Sequence, residues 1–408
     1  MTRRYDVLIV GAGQAGAQVA LSLRQLGYAG DIGVLGAEAE APYERPPLSK
    51  EYLLGEIGAD ALQLRPPEFW PGRSIDLRVS ARIVAVRPEA HQAITEAGET
   101  IDYGVMVWAA GGEARRLPCH RPDLAGVHLL RTRADADRLR GELTGAGRAV
   151  VVGAGYVGLE TAAALCSLGV RVTVVEAVDR VLARVAGPEI SEFYAREHSA
   201  RGVQFVLGGH VEALHGEGRV SGVRLSGGKT LPADLVVVGV GLVPNVDILA
   251  EAGANVADGV VVDAFCQTSL RDIYAVGDCA RHPNAFAVSG SARLESVQNA
   301  IDQAKTAAAA IAGRPAPYSA LPWFWSNQYD LALQTAGLSA GHDATVVRGD
   351  PSSRAFSVLY LREGAVLAID SVNSPADFTQ AKRLVARRGQ VDVERLADPA
   401  TPLKDLAA

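Results

Sequence analysis

Two glycine-rich segments carry the clearest chemical signal in this sequence. The segments DVLIVGAGQAG (6–16) and AVVVGAGYVG (149–158) are apolar runs that end in the spacing G-x-G-x-x-G. Each continues into a helix-like stretch, and an acid follows about 20 residues on, Glu38 in the first copy and Glu176 in the second. A strand, a glycine turn, a helix and an acid in this order are typical of dinucleotide binding.

Each glycine of such a turn has its own physical role. The first permits a tight turn, the second lets the backbone approach a pyrophosphate, and the third allows close packing of helix on strand. The N-terminus of the following helix then offers N–H groups and the positive end of its dipole to the phosphates. We therefore expect two dinucleotide sites. Their turn glycines are Gly11, Gly13 and Gly16 in the first copy and Gly153, Gly155 and Gly158 in the second.

The elements that position these turns require more than one domain, because 408 residues exceed the size of a single compact core. DIYAVGDCA (272–280) is predicted to be a strand that ends at Gly277 and Asp278. If Asp278 serves the first dinucleotide, the second glycine unit is an insertion in a discontinuous first domain. The predicted domains are 1–113 with 243–315, the inserted unit 114–242, and a C-terminal domain 316–408.

The C-terminal region differs in amino-acid composition from the rest of the chain. Residues 317–334 are aromatic and rich in turn formers, and short β-like runs follow at 357–361 and 365–370. These runs predict an α+β domain of about 90 residues. The expected fold class is therefore α/β, with two Rossmann-like dinucleotide-binding domains as in glutathione reductase, plus a C-terminal α+β domain.

Composition excludes several classes of protein. The net charge of −6 argues against a nucleic-acid-binding protein, which usually presents a basic field. The longest apolar run, LVVVGVGLV (235–243), is far shorter than the roughly 18 residues of a membrane helix and is predicted to be a buried parallel strand. The apolar run from Val7 leads straight into a glycine turn, so it is not interpreted as a signal peptide.

The cysteines argue against dithiol and metal chemistry. The chain has four, Cys119, Cys166, Cys266 and Cys279, without CxxC or metal-ligand spacing. We expect no metal, and we expect buried free thiols in a reducing cytoplasm. Reductases that act through a dithiol need a redox-active cysteine pair, and residues 36–60 contain no cysteine.

Five segments together resemble one family. They are PYERPPLSK (42–50), VVGAGYVGLE (151–160), YAVGDCA (274–280), RLESVQNAIDQAK (293–305) and PWFWSNQYDLALQ (322–334). Their order and sequence are similar to those of the FAD-dependent, NADH-using ferredoxin reductases that serve haem-thiolate monooxygenases and Rieske dioxygenases. The similarity runs nearly from end to end.

The resemblance implies where the cofactors bind. Gly11, Gly13, Ala15 and Gly16 would form the FAD pyrophosphate turn, and the second turn would take NADH. Asp278 would hold the ribityl chain, and the backbone of Val297 would meet the isoalloxazine. The further residues implied to contact a cofactor are Arg45, Lys50, Ile83, Arg131 and Gly241.

Three catalytic residues are also implied by the resemblance. Lys50 would lie near flavin N5, where a cation favours the anionic reduced flavin, and Glu160 would pair with it and offset its burial. Trp325 would lie beside the flavin. The alternation Trp–Phe–Trp predicts that Trp323 and Trp325 share one face of a strand.

The acids at the two ribose positions differ in their context. The family has Asp where this chain has Ala37, so Glu38 is expected to take over the ribose hydroxyls. Glu176 ends the predicted strand VRVTVVE (170–176), where a carboxylate binds ribose hydroxyls and repels a 2′-phosphate. NADH is therefore expected over NADPH, although the nearby Arg180 and Arg184 act in the opposite sense.

The implied function is transfer of electrons from NADH through FAD to a [2Fe–2S] ferredoxin that feeds an oxygenase. Two alternatives stay open: a rubredoxin reductase, and a flavin-dependent redox sensor of the apoptosis-inducing-factor type, against which the acidic net charge argues. Acidic ferredoxins need a local basic patch on a net acidic chain. The implied docking residues are Lys305, Lys382, Arg387 and Arg388, whereas a third docking lysine of the family is replaced here by Gln334.

Overall fold

A computed structural model describes residues 3–406 of the chain. They form two compact units, each assembled from three separate segments. The first unit consists of Met1–Glu44, Asp60–Glu113 and Val243–Pro322. The second unit consists of Arg45–Ala59, Ala114–Leu242 and Trp323–Ala408. The chain therefore leaves the first unit and returns to it twice.

Strands and helices alternate over residues 3–35 and 127–207, and runs of consecutive strands occupy much of the rest of the described chain. The elements up to residue 114 are β1 (Arg3–Val10), α1 (Gln14–Gln25), β2 (Ile32–Leu35), α2 (Glu51–Leu54), α3 (Phe69–Gly72), β3 (Ile75–Arg78), β4 (Ile83–Arg87), β5 (Gln92–Thr95), β6 (Thr100–Trp108) and β7 (Gly112–Ala114). Those up to residue 238 are β8 (Val127–Leu129), α4 (Arg133–Glu142), β9 (Arg148–Val152), α5 (Tyr156–Ser167), β10 (Arg171–Glu176), α6 (Pro188–Ala200), β11 (Gln204–Leu207), β12 (Val211–Glu217), β13 (Arg219–Leu225), β14 (Thr230–Pro232) and β15 (Leu235–Val238).

The remaining elements begin with β16. Those before residue 323 are β16 (Leu242–Pro244), α7 (Asp247–Glu251), β17 (Val256–Ala257), β18 (Gly259–Val261), β19 (Ile273–Ala275), β20 (Ala280–Pro283), β21 (Ser291–Arg293) and α8 (Val297–Ile311). The C-terminal elements are β22 (Trp323–Gln328), β23 (Leu331–Gly337), β24 (Ala344–Asp350), β25 (Ala355–Arg362), β26 (Ala365–Val372), α9 (Pro375–Arg387) and α10 (Val393–Ala397).

The main sheet of the first unit has the order β3-β2-β1-β6-β5-β4, and β19 also pairs with β6. Strand β1 is its centre, because Val7–Val10 is buried on both faces and pairs in parallel with β2 and β6. The long strand β6 pairs antiparallel with β5 at its start and parallel with β19 at its end. Residues after 243 thus return to the sheet that the N-terminal residues build.

The second unit contains a parallel sheet of the same kind. Its order is β11-β10-β9-β15-β8, and every neighbouring pair is parallel. The central strand β9 leads into the second glycine turn and α5, as β1 leads into the first turn and α1. The predicted α/β fold class with two Rossmann-like units is confirmed.

The C-terminal strands form a separate antiparallel sheet. Its order is β22-β23-β26-β25-β24, and helix α9 follows β26. Leu333, Phe356 and Tyr360 are among its fully buried residues, and β25 is buried on both faces along most of its length. The predicted α+β character of this region is confirmed, with strands at both expected runs.

Three local expectations need correction. The run 235–243 is not one strand, because β15 ends at Val238 and the chain turns through Gly241 at φ +108° before β16 begins. The strand predicted at 272–280 covers only Ile273–Ala275, and a 3₁₀ helix, Gly277–Cys279, follows it. Two cysteines, Cys119 and Cys166, are only partly buried, whereas Cys266 and Cys279 are fully buried.

Hydropathy of the helices adds one further observation. Within residues 3–406, no helix combines the length and the apolar character that crossing a bilayer requires.

Strand β26 contains a buried acid, Asp370. Asp370 is 3% exposed and accepts a hydrogen bond of 2.6 Å from the Tyr360 hydroxyl, which itself accepts the Gly187 N–H at 2.8 Å. Burial away from water, reinforced by the charge of Glu189, raises the pKa of Asp370 to about 7. Because an unfolded aspartate ionises at its ordinary pKa of 3.8, the folded state holds this proton over a wider pH range.

This arrangement predicts a pH-dependent stability. The unfolded state ionises first, so the free energy of unfolding should fall by several kcal/mol from about pH 4 to pH 7 through this group, at about 1.4 kcal/mol per pKa unit. Asp370→Asn should flatten that fall, whereas Asp343→Asn, at an exposed acid near β24, should not. Urea unfolding across pH measures both; parallel curves for wild type and Asp370→Asn would contradict the prediction.

Candidate active site

The first glycine turn joins β1 to α1 and leaves no room for a side chain at two of its glycines. Gly11 has φ +111°, and a Cβ there would lie 2.2 Å from the Ala109 carbonyl oxygen. A Cβ on Gly16 would lie 1.9 Å from the Gly11 carbonyl oxygen. Gly13 instead faces open space and precedes α1 without a side-chain hydrogen bond to the helix N-terminus.

The second glycine turn repeats this geometry between β9 and α5. Gly153 has φ +103°, and a Cβ there would lie 2.4 Å from the Gly239 carbonyl oxygen. A Cβ on Gly158 would lie 2.0 Å from the Gly153 carbonyl oxygen, whereas Gly155 faces open space. Helix α5 likewise begins without a side-chain cap. Both turns thus present helix N-terminal amides beside open space, which fits a pyrophosphate.

The two acids occupy similar places after the second strands. Glu176 ends β10; its Oε2 accepts the Ala154 N–H at 2.7 Å and its Oε1 accepts the Val178 N–H at 3.2 Å. These bonds tie the carboxylate to the glycine turn. Glu38 follows β2, and its Oε2 accepts the Tyr43 hydroxyl at 2.5 Å. Tyr43 therefore orients the acid that stands next to Ala37.

Arg180 is occupied within its own loop. Its guanidinium donates to the carbonyl oxygens of Ala183 and Ala186 at 2.9 and 2.7 Å, and to the Ser191 hydroxyl at 2.7 Å. An arginine held in this way is not positioned as a partner for a 2′-phosphate. Arg180 therefore argues less strongly against a preference for NADH.

Asp278 lies in the 3₁₀ helix Gly277–Cys279, close to the first glycine turn. A Cβ on Gly277, at φ +80°, would lie 3.1 Å from the Ala15 Cβ at the start of α1. The Gly277 N–H is held by the Gln303 side chain at 2.7 Å. Val297 is the first residue of α8, where main-chain N–H groups point out of the helix. Ile83 begins β4, and its side chain is buried in the core of the unit.

A buried ion pair lies in the second unit. Lys50 follows a 3₁₀ helix, Pro46–Ser49, whose two prolines fix its approach, and its Nζ lies 2.9 Å from Oε2 of Glu160 in α5. The residues are 9% and 5% exposed. Ser49 donates to the same oxygen at 2.6 Å, and Ser326 donates to Oε1 at 2.6 Å. Three donors on one carboxylate offset the cost of removing the charges from water.

Trp325 lies on β22, and its indole is next to that of Trp323, with ring centroids 5.5 Å apart. The prediction that these tryptophans share a strand face is confirmed. Arg45 and Arg131 also lie together, since Arg45 donates to the Arg131 carbonyl oxygen at 2.7 Å. Gly241 follows β15, at the end of the parallel sheet.

Three of the four predicted docking residues lie on two helices, and Arg388 follows the second helix. Lys305 is exposed on α8, and its Nζ lies 3.2 Å from Oδ1 of Asp302. Lys382 is on α9, with Nζ 4.8 Å from the Phe378 ring centroid and 5.9 Å from the Trp323 ring centroid. Arg387 ends α9, and Arg388 follows it at φ +53°, both exposed.

Sequence reasoning missed three polar residues of these sites. Ser49 and Ser326 hold the Glu160 carboxylate, and Tyr43 holds Glu38. For Ser326 a signal existed: the period of two along β22 places it, with Gln328, on the face opposite Trp325. Ser49 lies far from Glu160 along the chain, and an irregular loop separates Tyr43 from Glu38. No regular spacing in the sequence therefore indicates either contact.

Comparisons with known proteins assign the chain to a family. Residues 5–304 match the pyridine nucleotide-disulphide oxidoreductases, and residues 323–407 match the reductase C-terminal family. The ferredoxin reductase subunit of 5,5′-dehydrodivanillate O-demethylase from Sphingobium sp. is 52% identical over 99% of this chain and 98% of its own. A ferredoxin–NAD(P)⁺ reductase from Sphingomonas sp. is 49% identical over 98% and 97%.

A solved structure agrees with these relatives. The covalent putidaredoxin reductase–putidaredoxin complex matches with a TM-score of 0.95 and 38% identity, over 99% of this chain and 98% of that one. The chain belongs to the ferredoxin reductases of the pyridine nucleotide-disulphide oxidoreductase family. The resemblance found in the sequence is thus confirmed, and membership implies FAD and NAD(H) as the two dinucleotides.

The position of Glu176 predicts a preference for NADH. A carboxylate fixed by two main-chain N–H groups would accept ribose hydroxyls and repel a 2′-phosphate. Glu176→Ala should narrow the ratio of kcat/KM for NADH over NADPH by roughly tenfold or more, a loss of about 1.4 kcal/mol, and Glu176→Arg should narrow it further. Glu192→Ala, at an exposed acid of α6, is the matched control. A wild type that already favours NADPH would show the assignment to be wrong.

Proposed function

We propose that this chain passes electrons from NADH to a [2Fe–2S] ferredoxin that supplies an oxygenase. The relatives named as ferredoxin reductases, at up to 52% identity, support the acceptor class. The observation that carries the proposal is the buried pair of Lys50 and Glu160, because it would fix a cation beside the flavin.

The residues of the second unit would supply charge and orientation. FAD, when bound, would supply the redox chemistry that converts hydride transfer from NADH into single-electron transfer. Lys50 would hold a positive charge at its Nζ beside the cofactor, and Glu160 with Ser49 would keep that ammonium in one place. Asp278 and Val297 would orient the cofactor in the first unit, and the resemblance implies that Trp325 lies beside the flavin.

The thiols support an acceptor other than a disulfide. Cys266 and Cys279 are buried, and burial raises the pKa of both, that of Cys279 to about 12. A thiol that stays protonated is a poor nucleophile, so neither residue suits disulfide exchange. Within residues 3–406 the four cysteines are free, which fits the cytoplasm as the proposed location.

One assay separates the proposal from its alternatives. NADH-driven reduction of cytochrome c should be slow with the chain alone and should rise when a [2Fe–2S] ferredoxin is added. A rise with rubredoxin alone would favour the rubredoxin reductase, a class that includes a relative at 37% identity. Slow turnover with either carrier would favour a redox sensor.

Lys50 should matter for the rate of hydride transfer more than for nucleotide binding. In Lys50→Ala the limiting rate of flavin reduction at saturating NADH should fall roughly 10- to 100-fold, since a fixed charge near the reaction centre is lost. The Kd for NADH should change much less. Stopped-flow absorbance measures both, with Lys229→Ala, at an exposed lysine, as the control. An unchanged limiting rate would remove Lys50 from the mechanism.

We also propose that the basic residues of α8 and α9 contribute to ferredoxin docking. The Lys305 side chain is 57% exposed, and its surface ion pair with Asp302 contributes little to stability. Lys382 is held against two aromatic rings, which restricts its side chain. Arg387 and Arg388 add positive charge at the C-terminal end of α9. On a chain of net charge −6, such local patches would attract an acidic partner.

Charge reversal tests this docking proposal. The double variant Lys305→Glu, Lys382→Glu should raise the KM for ferredoxin several-fold, while ferricyanide reduction stays unchanged because that small acceptor needs no docking surface. High salt should act similarly on the wild type, since the Debye length falls from about 10 Å at 0.1 M to about 3 Å at 1 M. Lys229→Glu is the control. A ferredoxin KM that neither change moves would rule these lysines out.

A further inference from the structure

A line of buried hydrogen bonds extends behind Glu160. Its Oε1 accepts the Ser326 hydroxyl at 2.6 Å, and Ser326 Oγ accepts the Gln328 side-chain amide at 3.2 Å. Gln328 Oε1 lies 2.8 Å from Nε2 of His198 in α6. These four residues are between 0% and 5% exposed, so water does not compete for their hydrogen bonds.

Along this line of hydrogen bonds, each residue donates toward Glu160. An ionised carboxylate can only accept, so Ser326 donates to Glu160, and its oxygen then accepts from the Gln328 NH₂ group. The Gln328 carbonyl oxygen must accept from Nε2–H of His198, which fixes the histidine tautomer. His198 Nδ1 has no hydrogen-bond partner within residues 3–406.

The imidazole of His198, at the far end of this line, is uncharged. Burial lowers the pKa of His198 to about 4, and the nearby Arg201 acts in the same sense, although the bond to Gln328 opposes both. The ring therefore carries no charge at neutral pH. The Gln328 amide neither gains nor loses a proton readily, so the line is poorly suited to carry protons from His198 to Glu160.

The second oxygen of Glu160 is held from the other side. Oε2 accepts from two consecutive residues, Ser49 at 2.6 Å and Lys50 at 2.9 Å, which belong to one short segment. Ser326 is the donor to Oε1, and it comes from β22 rather than from that segment. Without the Ser326 hydroxyl, the carboxylate would be anchored at one oxygen alone and could rotate about that contact.

We propose that Ser326 is a positioning residue which, backed by Gln328 and His198, fixes the Glu160 carboxylate and thereby the Lys50 ammonium. The proposal rests on the role of Lys50 given under the proposed function. It assigns these residues no direct part in the chemistry. Their effect passes through Glu160, so it should weaken with each step along the line.

The test compares variants along the line in the FAD-loaded protein. They are Ser326→Ala, Gln328→Leu and His198→Phe, with Ser326→Thr as the conservative variant that keeps a hydroxyl. Ser371→Ala, at a buried serine of β26 that bonds Ser374, is the matched control. The readouts are the midpoint potential of the bound flavin, the limiting rate of its reduction by NADH, and the melting temperature.

The effects should be graded. Ser326→Ala should lower the limiting rate about tenfold and shift the flavin equilibrium toward the oxidised form by a similar factor, about 30 mV for a two-electron couple. Gln328→Leu should have a smaller effect and His198→Phe the smallest, while Ser326→Thr should restore most of the wild-type potential. Ser371→Ala should lower the melting temperature without moving the potential.

Other patterns would overturn the proposal. Equal losses at all three positions would mean a proton relay, since a relay fails wherever it is broken. A lower melting temperature for Ser326→Ala with an unchanged potential would mean a purely structural role. If Ser326→Ala does not fold, Ser326→Cys, which keeps the volume but donates weakly, carries the same prediction.

Lys50→Ala in the same series separates this inference from the proposed function. If Lys50→Ala slows flavin reduction and Ser326→Ala leaves both rate and potential unchanged, only the positioning role of Ser326 is refuted. If Lys50→Ala also has no effect, the proposed role of Lys50 fails, and the inference fails with it.

Discussion

Both dinucleotide turns depend on a backbone contact that glycine alone allows. The first glycine of each turn packs against a carbonyl oxygen just beyond the neighbouring strand, that of Ala109 after β6 and that of Gly239 after β15. The third glycine packs against the carbonyl oxygen of the first. The contact of the first glycine therefore fixes the turn against the neighbouring strand, and the contact of the third glycine fixes the helix against the turn. The open middle position follows from these two constraints, because the amides at the helix start can then face a phosphate.

Buried acids are handled in two different ways in the second unit. Glu160 receives a cation and two hydroxyl donors, which together offset the loss of water around a charge. Asp370 has the Tyr360 hydroxyl as its donor, and burial raises its pKa to about 7. The first arrangement keeps a charge in a fixed place, as electrostatic catalysis requires, whereas the second favours a neutral structural link between β26 and β25.

What the sequence reveals depends on the distance between partners along the chain. The glycine turns and Glu176 could be predicted because strand, turn, helix and acid lie within about 30 residues of one another. The contact of Lys50 with Glu160 joins residues 110 positions apart, so spacing alone cannot indicate it, and the resemblance to a family supplied it. The run 235–243 was misread because its apolar residues continue across a turn that Gly241 makes possible at φ +108°.

Ala37 and Glu38 show a second limit to what can be predicted from the sequence. The resemblance implies an acid of the family at the position of Ala37, and Glu38 is the expected substitute in this sequence. The structure shows that Glu38 is held by Tyr43, from the loop after β2, at 2.5 Å. Irregular loops have no period, so this partner could not have been predicted from pattern.

We propose that the chain carries one FAD at its first glycine turn and receives hydride from NADH bound at its second. Anaerobic titration of the purified protein with NADH, followed by the visible absorption of the flavin, tests it most directly. We expect one non-covalent FAD per chain, bleached fully by one equivalent of NADH. A chain that carries no flavin or two flavins after careful purification, or a flavin that NADH does not reduce, would contradict the claim.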